Sequence, residues 1–163
     1  MRRSLRHYAL TMSVRPLLAA LLLAGVAAAP ASAAAHRKSL VITVKALPIM
    51  AVQHDRAPKG LSKGDLFTGR DRLTNMAAQF GKKTGAAVGS DRWTLALTSS
   101  SAGVLAGTAT FPGGTVSFKG PGRLGAVARI PVTGGTGAFA GAQGSMLAGT
   151  GQTPLNTYTL TLP

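Results

Sequence analysis

Side chains able to move a proton are scarce in this chain. Its 163 residues hold 18 Lys and Arg but only four acidic residues, all aspartate. Asp65 and Asp71 lie six positions apart in "GDLFTGRD". That even spacing puts both carboxylates on one face of an extended segment, with Arg70 and Arg72 on the other. Turned inward, such a carboxylate is desolvated, its pKa rises toward neutrality, and it becomes a usable general acid or base. Turned outward, the same face makes surface ion pairs or structural hydrogen bonds. Asp71 and Asp65 are therefore the candidate catalytic residues. Tyr158, Phe118, Phe111 and Trp93 are the candidate ligand-binding residues, with core packing the competing role for Tyr158. Asp91-Arg92, beside Trp93, reads as a turn next to an amphipathic aromatic.

Other chemistries find little support. The chain has no cysteine, so disulfides, thiolate metal sites and a Cys nucleophile are excluded. His54 falls in an expected loop and His36 near the expected mature N-terminus, neither beside a strand Ser or Asp. Two histidines without further ligands make no metal site, and neither a metal nor another cofactor is expected. "TGGTGAFAGAQG", Thr133 to Gly144, spells G-x-G-x-x-A from Gly135, a form of the dinucleotide-binding fingerprint. That site needs a helix after the glycines and an acidic residue about 20 positions on. Only 26 residues follow Gly137, none acidic, and Gly141, Gly144 and Gly149 make a poor helix. The stretch reads better as a corner between strands, with Gly134, Gly135 and Gly137 turning the backbone and Phe139 folding over a barrel end.

The elements that must position these groups begin after a leader. Arg2, Arg3, Arg6 and Arg15, an apolar run of 13 residues at Leu17–Ala29 and the small-x-small Ala31-Ser32-Ala33 form the pattern of a secretory signal peptide over 1–35. The expected mature protein is a single domain, 36–163, with no transmembrane segment, secreted or associated with the cell envelope. Without the four leader arginines it carries 14 Lys and Arg against four Asp. This excess suits acidic envelope polymers. The basic residues are scattered and stacking aromatics few, which argues against specific nucleic-acid recognition.

From Ser39 onward the dominant period is two, the strand signal. Leu40, Ile42, Val44 and Ala46 alternate with polar or exposed positions in a first strand. "LPIMAVQHDRAPKGLSKG" reads as a long irregular connection. Asp65–Leu73 is a second strand, and Ala86–Ser90 and Thr94–Thr98 are strands around a turn at Asp91. In "VLAGTATFPGGTVSFKG" a hairpin about Gly113-Gly114 pairs Phe111 with Val116 and Ala109 with Phe118. Leu105, Gly107, Ala109, Phe111, Val116 and Phe118 then share an apolar face. Leu124–Val132, Ala142–Thr150 and Thr157–Leu162 complete the set. No segment after the leader has a helical repeat. Seven or eight short strands joined by glycine turns indicate an all-β sandwich or up-and-down barrel, and glycines at expected bends favour closure into a barrel.

"VTGGTGAFAGAQG" resembles the glycine corner of allene oxide cyclases and, more loosely, of dirigent proteins. "KGDLFTGRDRL", "FGKKTGAAVGSD" and "FPGGTVSFKGPG" resemble further cyclase blocks in the same order, so the likeness spans Gly64–Gly151. It implies an eight-stranded barrel with an apolar cavity, often trimeric, and so a possible homo-trimer or dimer here. It also implies catalytic groups that this chain lacks. The cyclases' first-strand carboxylate has no counterpart in Leu40–Leu47, whose only charge is Lys45. Their cavity cysteine is absent, and their tyrosine after Q-G-P is Gly122. Their second-strand Asn falls near Asp71. The dirigent Asp after G-G-T-G is Ala138, and the following Arg is Gln143. Three readings stay open: a barrel binding a small hydrophobic ligand, an isomerase or cyclase acting by confinement with Asp71 or Asp65 as its polar group, and a cationic structural protein that binds envelope polyanions.

Overall fold

Alternating apolar and polar residues settle into eight strands: β1 (Lys38–His54), β2 (Leu66–Asn75), β3 (Ala87–Leu97), β4 (Ala102–Phe111), β5 (Gly114–Arg123), β6 (Ala128–Gly137), β7 (Gln143–Ala148) and β8 (Leu155–Leu162). The computed structural model describes residues 37–163, and the leader expected over 1–35 lies outside them. Each strand pairs antiparallel with the next, and β8 returns to β1 along Lys38↔Leu162 to Lys45↔Leu155, closing the barrel. Closure gives every strand a neighbour on both sides. The interior holds Ile42, Val44, Leu73, Val116, Ile130, Met146 and Leu160, all at 2% exposure or less. Burying each such side chain contributes about 1.5–3 kcal/mol.

The barrel has two unlike ends. The β2–β3, β4–β5 and β6–β7 turns share one end with the chain's C-terminus, where Gly141 lies against Pro163. There Phe139 folds inward and packs on Phe111, which stacks on Phe80 at 5.6 Å. These rings close that end. A left-handed backbone at Gly137 (φ 59°) makes the reversal possible, and a Cβ there would strike the Gly113 carbonyl. The glycine corner is thus a strand reversal, as its sequence suggested, with β6 running through to Gly137 before the chain turns.

Several expected boundaries change. β1 continues through the stretch read as an irregular connection, reaching His54 because β2 offers it a partner as far as His54↔Leu66. The turn expected at Asp91 is absent, and β3 runs unbroken from Ala87 to Leu97. The β4–β5 hairpin turns at Pro112-Gly113, with Gly113 at φ 94°, so Ala109 pairs with Val116 and Gly107 with Phe118. Proline fixes φ at the first turn position and glycine accepts positive φ at the second, the type II pattern. That shift of two residues leaves the apolar set on the inner face.

Candidate functional site

The site grows from two short runs, "GRDR" on β2 and "DRWTL" on β3. Alternation turns Gly69, Asp71 and Leu73 inward and leaves Arg70 and Arg72 exposed. On β3 it turns Asp91, Trp93, Leu95 and Leu97 to the inner face. Register sets Asp71 directly opposite Asp91, and Gly69 opposite Trp93. On its other side Asp71 faces Pro48 of β1, where the ladder skips Ile49 in a bulge. Proline has no N–H to offer and a bulge disrupts the ladder, so regular pairing weakens beside the carboxylates.

Trp93 is seated by small neighbours. The inner row runs Gly69, Trp93, Gly107, Phe118, alternating absent and large side chains across four strands. A Cβ at Gly69 would collide with the indole, and one at Gly107 would collide with the Phe118 ring. The indole therefore lies over Gly69 and its Nε1–H donates to Asp71 Oδ2 at 3.0 Å. The Asp71 amide donates to Asp91 Oδ1 at 3.2 Å.

Both carboxylates are buried, Asp71 at 8% and Asp91 at 2% exposure. Burial, and then the adjacent charge of Asp71, pushes Asp91 up to about 7. Burial also raises Asp71, opposed by the Trp93 hydrogen bond. Two carboxylates side by side in an apolar wall do not both ionise readily, so near neutrality the pair holds one proton between them. The Trp93 N–H favours charge on Asp71, leaving Asp91 as the better proton carrier.

The pair lines a cavity of about 270 Å³ whose wall includes Phe67, Leu95, Leu105 and Phe118. It extends to Arg123–Ala126 and Gly149–Gly151, at the end opposite the Phe139 plug. Asn156 also lines it, its Oδ1 fixed by the Gly149 amide at 3.0 Å. Tyr158 lies behind this wall, edge-on to Phe111 at 5.3 Å and tilted to Phe118. Its hydroxyl is buried beside the Asn156 side chain, without a well-formed hydrogen bond. Burial and the charge of Asp91 push its phenol well above the ordinary value, so it stays protonated.

The sequence-derived candidates therefore separate. Asp71, Trp93 and Phe118 meet at the cavity, whereas Phe111 belongs to the aromatic plug and Tyr158 to the packed layer behind the wall. Asp65 does not join Asp71. It sits just before β2, where the Arg56 and Ser62 amides donate to its carboxylate at 2.8 and 2.9 Å. Those two hydrogen bonds hold its pKa below the ordinary value, and they make it a tether for the β1–β2 connection. Asp91 was missed as a site residue because Gly89-Ser90-Asp91 looks like a turn. The signal was nevertheless present: Asp91, Trp93, Leu95 and Leu97 keep a period of two. Among the described residues no group of three or more His, Cys, Asp or Glu is placed to hold a metal.

Known folds resemble this barrel at low sequence identity. A pyocyanin demethylase matches with a TM-score of 0.62 and 22% identity over 76% of this chain and 100% of its own. A pterocarpan synthase dirigent protein matches at 0.54 and 19%, covering 77% of this chain and 83% of its own. An exo-specific intermolecular Diels–Alderase matches at 0.57 and 13%, over 77% and 98%. No curated protein matches the sequence. The model of the dirigent-like protein family matches residues 37–162, the whole barrel, and the chain belongs to that family.

Proposed function

We propose that the barrel encloses a small, largely apolar molecule and transfers a proton on it during an isomerisation or cyclisation. The observation that carries this reading is the Asp71–Asp91 pair, facing an apolar cavity with its proton affinity raised to near neutrality. Asp71 accepts a proton from the substrate while Asp91 delivers one to another atom of it. The step is redox-neutral and the pair ends with one proton, as it began. Acid and base are most effective when their pKa values lie near the working pH. The volume of about 270 Å³ falls just below the roughly 300–1,000 Å³ usual for drug-sized ligands, so the substrate is compact. Apolar walls and Asn156 orient it, and confinement lowers the entropic part of the barrier. Two of the similar folds bear the names of a synthase and a Diels–Alderase, which is consistent with ring-forming chemistry.

The leader pattern at 1–35 supports action outside the cytoplasm. Native mass spectrometry of the protein purified from its own growth medium tests the reading. The expected result is a bound species of a few hundred daltons on a dimer or trimer. Asp71→Asn and Asp91→Asn should keep that species but fail to convert it. Barrels empty in every preparation, or variants converting at the wild-type rate, would sink the proposal.

A further inference from the structure

The strands sort charge by face. Both strand aspartates, Asp71 and Asp91, point into the barrel, and Asp55 and Asp65 lie in the β1–β2 connection. Every strand Lys and Arg is exposed, so the outer wall carries cations and no acid. The register that joins the two interior carboxylates also sets Arg70 directly opposite Arg92 on the outside. Like charges facing each other across a ladder are destabilising, and no carboxylate on that wall offsets them.

These arginines line a shallow outer groove of about 760 Å³ that crosses β1 to β6. Lys119 continues the positive charge, and Thr68, Thr94, Thr108 and Thr133 supply its hydroxyls. The geometry points to a binding site for an anionic glycopolymer, a chain of sugars or polyols carrying phosphate or carboxylate groups. Arg70, Arg92 and Lys119 would pair with successive acidic groups, and the threonines with hydroxyls between them. Positive charge disfavours a second copy of this chain in the groove. Of the aromatics beside it, Phe118 is buried and Trp93 is half-buried with its indole hydrogen-bonded to Asp71, so neither is free to stack bases, which disfavours single-stranded nucleic acid. The groove shares Trp93 and Phe118 with the wall of the inner cavity, but its charged groups lie on the outer face and act without the proposed proton transfer.

Titration calorimetry of the full chain with poly(glycerol phosphate) and with polygalacturonate, across a salt series, tests it. At least one polymer should bind, and which one identifies the anionic group. Arg70→Gln with Arg92→Gln should weaken that binding at least tenfold and lower the slope of log K against log salt by about one to two. The charge-matched control, Lys59→Gln with Lys63→Gln in the β1–β2 connection, should change affinity less than threefold. Thermal melting confirms that both double variants fold. Failure of both polymers to bind, or equal losses in the two double variants, would overturn the site. Tighter binding to single-stranded DNA or to anionic lipid vesicles than to either polymer would overturn the choice of a glycopolymer.

Discussion

Replacing Asp91 by Asn should change the pH dependence of stability in one direction. Asp91 rises from an ordinary 3.8 to about 7 in the folded barrel. Below pH 4 it is protonated in both folded and unfolded chains and contributes nothing to the difference. Between about 4 and 7 the unfolded chain releases this proton while the folded one keeps it. Unfolding is then favoured by about 1.4 kcal/mol per pH unit. The stability present at low pH is therefore lost as pH rises through 7, about 4 kcal/mol over roughly three units. Asp71, also raised by burial, acts in the same direction. Asn keeps an oxygen for the Asp71 amide but cannot ionise. Asp91→Asn should match the wild type near pH 3 and exceed it by up to about 4 kcal/mol at pH 8. Urea unfolding followed by the fluorescence of Trp93, the sole tryptophan, reads this directly. The reasoning fails if wild-type stability is flat or rising from pH 5 to 8 and the variant runs parallel to it.

Tyr158→Phe removes a buried hydroxyl whose polar neighbour, Asn156, makes no well-formed hydrogen bond to it. Thermal unfolding should show the variant more stable by about 1–3 kcal/mol, and a loss of stability would mean the hydroxyl has a partner in solution. Gly69→Ala drives a methyl into the Trp93 indole. It should cost about 1–3 kcal/mol and shift the emission of Trp93, and an unchanged spectrum would contradict the packing described. Asp65 lies below its ordinary pKa, so its contribution is present above pH 3.8 and lost as pH falls through its lowered folded value. Asp65→Ala should free the Arg56 and Ser62 amides and speed trypsin cleavage at Lys59 and Lys63, and unchanged cleavage would deny it the role of tether. Binding of a neutral ligand should dry the cavity, raise the carboxylate pair further and take up a proton near pH 7. Calorimetry in buffers of different ionisation enthalpy measures this uptake, and proton release would indicate a cationic ligand.

The barrel was legible because closure and alternation are written into local pattern. Period-two runs from Leu40 to Leu162 named most inner residues, and the glycine corner named the reversal. Boundaries were less legible where pairing depends on a partner. Leu47–His54 carries Pro48 and exposed apolar side chains, so it resembles a loop until β2 is laid beside it. Asp91 shows the same limit at the site. A small polar residue after Gly89-Ser90 looks like a turn, and only the cross-strand register reveals it as the neighbour of Asp71. Asp65 erred in the other direction. It lies one residue before β2, and the amides that hold it come from a loop whose path no periodicity specifies.

A single register accounts for both faces of the β2–β3 wall. Slipping these strands by one residue would turn Arg70 and Arg92 into the barrel and expose Leu73 and Leu95, an arrangement with unpaired buried charge and lost apolar burial. The pairing that avoids this sets two carboxylates together inside and two guanidinium groups together outside, so neither juxtaposition arises without the other. Ala138 and Gln143 lie exposed beside the Phe139 plug, at the closed end. The groups able to carry a proton sit instead on β2 and β3, where the cavity is. The glycine corner shapes the barrel while a different pair of strands supplies its ionisable groups, the separation of scaffold from site expected when one fold hosts several chemistries.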